Sequence, residues 1–162
     1  MKLSLGIASA NDITLLYALN QQNIPELGSL DNADHLKSLV EIAFSTIVLK
    51  HKNQIIGFCL LFKEGSSYDS PNYIYFNTKY DKFIYVDRVV VASDFTSNGG
   101  GKLMYNQVFK LAFKENLRIC CEVNEEPLNE ISLAFHKKLG FQKTHEKQYD
   151  KKKVAFLEKP PL

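Results

Sequence analysis

Short runs of β-branched and aromatic residues, broken by polar turns, alternate along the chain with segments whose apolar positions recur at helical spacing. Residues 3–8 read as a first strand. Leu15, Leu16 and Leu19 share one helix face, with Asp12 placed to cap its start and Ile24-Pro25 to interrupt the chain beyond Asn20. A second helix is predicted from Ala33 to about Phe44. Thr46 to Lys50 and Gln54 to Phe62 make a hairpin about Asn53, and Phe83 to Val91 is a strand ending in consecutive valines. Leu103, Val108, Leu111 and Ala112 lie on the apolar side of a helix over Gly99 to about Asn116. Arg118 to Asn124 is a strand, Pro127 to Leu139 a helix stopped at Gly140, and residues 141–149 and 153–157 a closing hairpin around Asp150-Lys151. The order is βααβββαβαββ in a single domain over residues 1–162, with no repeat, linker or low-complexity stretch.

One segment breaks the pattern. Glu64 to Lys82 opens with Gly65, Ser66 and Ser67 and carries Tyr68, Tyr73, Tyr75, Phe76 and Tyr80 without clear periodicity. An irregular stretch this long usually serves a function, so it is expected to be an insert facing a substrate. Tyr68, Tyr73 and Asp69, with Tyr85 on the next strand, would suit a small cationic or aromatic amine. The competing reading is an aromatic cover for the sheet or a contact between two copies in a homodimer.

Composition narrows the possibilities. Hydrophobic residues are 45% and charged residues 23% of the chain, as in ordinary soluble proteins, and a net charge of +2 gives no footprint for nucleic acid. No run approaches a membrane span, and the opening residues are too interrupted for a signal peptide. Cys59, Cys120 and Cys121 suit neither a disulfide framework nor a metal site and fit buried thiols in a reducing cytoplasm. The run Lys151 to Lys153 reads as a solvated turn.

Chemistry concentrates after the strand at 83–91. The loop Thr96-Ser97-Asn98-Gly99-Gly100-Gly101-Lys102-Leu103 leads from that strand into a helix that begins on glycines. Free N–H groups and the positive end of the helix dipole at such a start suit a phosphate. A dinucleotide site is one reading, with Gly99 and Gly101 as G-x-G and Glu122 as a ribose-binding acid. Met104 stands where its third glycine belongs, and the loop is too long for a tight strand-to-helix turn.

The same loop resembles the acyl-CoA loop of the GNAT acyltransferase superfamily, usually Arg/Gln-x-x-Gly-x-Gly/Ala. Gly99 and Gly101 fall on its glycines and Thr96 on its Arg/Gln position, a departure. Asn129, Ser132, His136, Gly140 and Phe141 fall in register with that superfamily's Asn-x-x-Ala-x-x-x-Tyr-x-x-x-Gly-Phe, and Cys121-Glu-Val is similar to the Leu-Glu-Val of ribosomal-protein-type N-acetyltransferases. The resemblance covers residues 83–141 and extends to a subgroup of bacterial acetyltransferases without an established substrate.

The resemblance implies an α/β (α+β) fold: a twisted, mixed, mostly antiparallel sheet of six to seven strands with about four helices, its central strands splayed for coenzyme A. It implies transfer of an acetyl group from acetyl-CoA to a primary amine, on a small molecule or a peptide, through a ternary complex. Val89, Val90 and Val91 would offer backbone to pantetheine, and residues 96–103 would hold pyrophosphate. Asn124, Asn129 and Ser132 would line the cofactor. Glu122 takes the position of the general base, with Asp87 as competing carboxylate and pairing with Arg88 as the structural alternative. His136 stands where many members carry the tyrosine that protonates the leaving thiolate, and a helix-face hydrogen bond is its alternative role. On the alternation of a regular strand, Asp87 shares a face with Tyr85, Val89 and Val91, and Arg88 faces away. A catalytically idle acyl-CoA-binding or partner-binding module is the rival function.

Overall fold

The computed structural model describes residues 1–161. Seven strands form one sheet: β1 (Leu3–Ile7), β2 (Ser45–His51), β3 (Gln54–Lys63), β4 (Phe83–Val91), β5 (Arg118–Glu126), β6 (Gln142–Gln148) and β7 (Lys153–Lys159). Their spatial order is β1-β2-β3-β4-β5-β7-β6. Every neighbouring pair is antiparallel except β4 and β5. Five helices cover it: α1 (Ile13–Gln21), α2 (Ala33–Ile42), α3 (Pro71–Lys79), α4 (Gly100–Glu115) and α5 (Glu130–Lys138). This mixed sheet, antiparallel but for one pair, differs from the alternating parallel topology a dinucleotide fold requires.

The helices divide between the two faces. Met104, Tyr105 and Val108 of α4 are buried with Ile84, Val86, Cys121 and Val123, and Leu133 and Phe135 of α5 pack against that cluster. Leu16 and Leu19 of α1, Leu36 and Leu39 of α2, and Tyr73 and Phe76 of α3 pack on the opposite face with Phe58, Tyr85, Cys120 and Phe156. The edge strand β6 is exposed along its whole length, and its lysines, glutamate and glutamines blunt it against pairing with another chain.

The aromatic segment is not an irregular insert. It folds into α3, with Pro71 in the first turn, where a missing N–H costs nothing. Tyr, Phe, Asn and Thr are indifferent helix formers, which hid the helix. Tyr73 and Phe76, three residues apart, supply the face that packs on the sheet. Tyr73 is therefore core: it is 1% exposed, and its hydroxyl donates to the Lys63 carbonyl oxygen at 2.6 Å. The expectation that it faces a substrate is corrected. Asp69 is exposed on the loop before α3.

Strand β4 carries a second correction. Leu60 pairs with Arg88 but Leu61 with Val86, so Asp87 is an extra residue bulged out of the ladder. The bulge resets the alternation. Tyr85 and Val90 belong to the α1–α3 side, whereas Val89 and Val91 pack toward the α4 side. Arg88, expected on the far face, turns toward Asp87 and forms an ion pair with it. At the end of the strand, Gly57 lets β3 press against β4, because a Cβ there would sit 2.3 Å from the Val90 carbonyl oxygen.

Candidate active site

β4 and β5 run side by side only briefly. Phe83 is in register with Arg118, Ile84 with Ile119 and Tyr85 with Cys120, and the pairing then stops although both strands continue. From Val86 onward β4 has no partner on that side. The strands part at the point where Glu122 follows on β5, and a cavity of about 590 Å³ opens there. Its lining includes Val89, Asp87, Tyr105, Glu122, Asn124 and His136.

Glu122 is half-buried on the wall of this cavity. The Tyr85 hydroxyl donates to its carboxylate, 2.7 Å from Oε1 and 2.6 Å from Oε2. The neighbour expected as a charge partner, Arg88, is committed elsewhere. Burial pushes the Glu122 carboxyl up, the Tyr85 hydroxyl holds it down, and the Asp87 charge pushes it up again, leaving it at about 7. A carboxyl that titrates there is ionised above neutrality yet basic enough to take a proton from an ammonium.

Asp87, the competing carboxylate, is already satisfied. Its Oδ2 accepts from Arg88 Nε at 2.7 Å and its Oδ1 accepts from the Tyr68 hydroxyl at 2.8 Å. Arg88 in turn donates to Asn20 Oδ1 at 2.8 Å and to the Gly28 carbonyl oxygen at 3.4 Å, tying β4 to the connection between α1 and α2. Tyr68 therefore lines the cavity with its hydroxyl on Asp87, while Tyr85, expected to face a substrate, is buried outside the lining and serves as the hydrogen-bond donor to Glu122.

His136 is 7% exposed, and both ring nitrogens are engaged. Nδ1 lies 2.7 Å from the Ser132 carbonyl oxygen, which can only accept, so the ring hydrogen is there. Nε2 then accepts from the Tyr105 hydroxyl at 2.6 Å. Burial pushes the imidazole below its ordinary value, which keeps it neutral. As placed, His136 has no free hydrogen to give to the cavity. Tyr105 stands beside it in the cavity wall, and the sequence reading missed it. Its only signal is its position four residues after Gly101, on the inward face of α4.

Asn129 caps α5, its Oδ1 accepting from the Ser132 N–H at 3.1 Å, and its own N–H donates to the Asn124 carbonyl oxygen at 3.1 Å. Cys121 also lines the cavity, but burial and the Glu122 charge push its thiol well above the ordinary value. It is a protonated, inert thiol.

Thr96 to Leu103 lies on the α4 side, outside the lining of the cavity. Gly99 is left-handed at φ +82°, which turns the chain into α4. Leu103 makes the first return bond to Gly99, while the N–H groups of Gly100, Gly101 and Lys102 have no backbone acceptor among the described residues. Gly100 packs on Leu49 and Gly101 on Phe135, so these two also let α4 approach the sheet and α5. The Thr96 hydroxyl turns back to the Ser93 carbonyl oxygen at 3.0 Å. Ser97 has φ +64°, and Asn98 Nδ2 donates to the Thr96 carbonyl oxygen at 3.1 Å. The parted strands and the unpaired N–H groups together suit a long ligand with a phosphorylated end and an amide-bearing arm, which is the form of acyl-CoA.

No helix is long and apolar enough to cross a membrane, and no group of three or more His, Cys, Asp or Glu side chains among the described residues could hold a metal ion.

Residues 15–141 match the profile of the Acetyltransferase (GNAT) family. No curated protein sequence matches the chain. Among solved structures, the chain is similar to Ard1 from Thermoplasma volcanium, with a TM-score of 0.79 at 17% identity over 100% of this chain and 99% of that one. It is similar to Arabidopsis thaliana Naa50 in complex with the bisubstrate analogue CoA-Ac-MVNAL, with a TM-score of 0.76 at 18% identity over 98% and 99%. The ribosomal-protein-S18-alanine N-acetyltransferase from Escherichia coli gives a TM-score of 0.76 at 12% identity over 99% and 94%. At these identities the likeness is one of fold, and the matched profile spans most of the chain and assigns it: the chain belongs to the GNAT acetyltransferase family.

Proposed function

We propose that this acetyltransferase moves an acetyl group from acetyl-CoA directly to a primary amine within a ternary complex, with Glu122 as the base. The observation that carries the proposal is the parting of β4 and β5 beside a carboxyl held by a hydroxyl rather than by a cation. Bound acetyl-CoA supplies an activated thioester carbonyl. Val89 to Val91, without a β5 partner, offer backbone to the pantetheine arm. The N–H groups of Gly100, Gly101 and Lys102, with the Lys102 ammonium, take the pyrophosphate. Thr96 adds no cation or amide there, so affinity rests on the backbone.

Glu122, ionised above about pH 7, accepts a proton from the acceptor ammonium, directly or through one water. Asp87 sets the electrostatic level at which it does so and touches no reacting atom. Cys121, protonated, forms no acyl intermediate, which leaves direct transfer.

His136 and Tyr105 act as a pair. As the carbon–sulfur bond breaks, the Tyr105 hydroxyl turns from His136 Nε2 to the departing sulfur and gives it its hydrogen, and the phenolate left behind regains a proton from solvent when the products leave. His136, with its ring hydrogen on the Ser132 carbonyl oxygen, positions that hydroxyl and gives up no proton itself.

Release of free thiol from acetyl-CoA, measured across a panel of primary amines, tests the proposal. Amine-dependent release that collapses in Glu122→Gln is expected. Coenzyme A binding with no release for any amine would instead favour an idle binding module, for which the turned-back Thr96 hydroxyl is the supporting observation.

A further inference from the structure

The hairpin that closes the chain is rich in lysine, and the structure treats these residues unequally: Lys147 lies over the Tyr149 ring, away from the cavity lining. Lys143 and Lys153 are paired with Glu125 and Glu146 on the outer side. Lys151 and Lys152 form no ion pair among the described residues, and both line the cavity that holds Glu122. The turn is fixed there. The Tyr149 N–H donates to the Lys152 carbonyl oxygen at 2.7 Å, Gln148 Nε2 donates to the same oxygen at 3.2 Å, and the Tyr149 hydroxyl donates to Asn72 Oδ1 of α3. Lys152 is close enough for its charge to act on Glu122. The solvated turn expected from the sequence is thus one rim of the site.

Position distinguishes these lysines from the phosphate-holding end. Tyr149 packs with the α1–α3 cluster, whereas the glycine loop opens α4 on the other face of the sheet. Arg88, the other cation in the cavity wall, is neutralised by Asp87. Three carboxylates line the cavity: Asp87 is paired with Arg88, Glu26 lies on the connection between α1 and α2, and Glu122 lies where β4 and β5 part, while the positive rim at Lys151 and Lys152 comes from the closing hairpin.

We infer that the acceptor carries an anionic group, a carboxylate or a phosphate, beyond its amine, and that Lys151 and Lys152 select it. The inference rests on the acetyltransfer reading above. The amine lies at Glu122 and the anion at the rim, so one molecule satisfies both poles.

Matched acceptors test this at saturating acetyl-CoA: tyrosine against tyramine for a carboxylate, phosphoethanolamine against ethanolamine for a phosphate. The anionic member of at least one pair is expected to have a kcat/KM about tenfold higher, the size of one partly screened charge contact. The double variant K151A/K152A should lose most of that preference while keeping its KM for acetyl-CoA. Equal or better use of the neutral members by the unaltered protein, a preference that survives K151A/K152A, or a raised acetyl-CoA KM in that variant would overturn the inference and leave acetyltransfer standing. If no amine is turned over, the parent reading fails. Calorimetric titration of the CoA-bound protein with tyrosine and with phosphoethanolamine then decides, since binding abolished by K151A/K152A supports an anion site and no binding overturns it.

Discussion

Two carboxylates sit on one face of neighbouring strands and have opposite lives. Glu158 of β7 is opposite Cys120 of β5, and Glu122 follows two residues along β5, opposite Phe156. Glu158 is 1% exposed and surrounded by donors: Lys79 at 3.0 Å, Arg118 at 3.4 Å, and the Tyr80 and Thr144 hydroxyls. Burial pushes its carboxyl up, but the bonds from Thr144, Tyr80 and Lys79 outweigh burial and leave it below the ordinary value. Glu122, half-buried on the cavity wall, has only a hydroxyl partner and a nearby like charge, and rises to about 7. The first arrangement locks α3 and β6 to the sheet. The second leaves a carboxyl free to serve as the proposed base. Whether a buried carboxylate is structural or chemical is decided by its donors rather than by its depth.

Mutations at the two sites should separate along that line. The largest expected effect is on turnover. Glu122→Gln keeps the shape and the Tyr85 contact and removes the base, so kcat/KM should fall by about 10²- to 10³-fold. The loss should be greatest between pH 7 and the acceptor amine's own pKa, since below that range Glu122 is already protonated and above it the amine needs no base. Stability should move the other way. Because folding raises the Glu122 carboxyl, its ionisation costs stability as pH rises through about 7, and Glu122→Gln should raise the melting temperature at pH 8 but not at pH 5. A rise from 4.5 to about 7 bounds that gain at ~3 kcal/mol.

Glu158→Ala should do the reverse, leaving turnover of the folded protein intact and costing about 2–3 kcal/mol, because Lys79 and Arg118 can turn to solvent. Its stabilisation is present above the ordinary carboxylate range and is lost as pH falls through its lowered value. Urea unfolding at pH 7 and pH 4 would measure both signs.

Smaller effects sharpen the electrostatic part. Tyr85→Phe removes the hydroxyl that holds Glu122 down and should move the acid limb of the pH–rate profile up by less than about 1 pH unit. Asp87→Asn removes the charge that holds it up and should move the limb down. Tyr105→Phe and His136→Phe should each slow kcat, and the double variant should be no slower than Tyr105→Phe alone if His136 acts only by positioning the Tyr105 hydroxyl. The smallest change expected is in Thr96→Arg, which restores the usual cation of the loop and should lower the KM for acetyl-CoA by about threefold, with kcat unaltered.

The strand boundaries of β4 and the helix after it were legible because valines and spaced apolar residues announce them. The glycine loop was legible as a phosphate site from glycines opening a helix, whereas its reading as an acyl-CoA loop and that of Glu122 as a base came through a family resemblance. Helix α3 was not legible, since Tyr73 and Phe76 are poor helix formers held helical by the core they fill. The bulge at Asp87 was invisible because nothing in Val86-Asp87-Arg88 departs from a strand, and it inverted the faces expected for Arg88, Val89 and Val91. The Tyr105–His136 contact joins two helices thirty-one residues apart. The two unpaired lysines of the last turn differ from Lys153 only in where Glu125 and Glu146 lie.

The most direct measurement is the pH dependence of kcat/KM with two acceptor amines of different basicity. If Glu122 is the base, the acid limb lies near pH 7 for both amines and disappears in Glu122→Gln. A limb that tracks each amine's own pKa, unchanged in Glu122→Gln, would contradict the assignment.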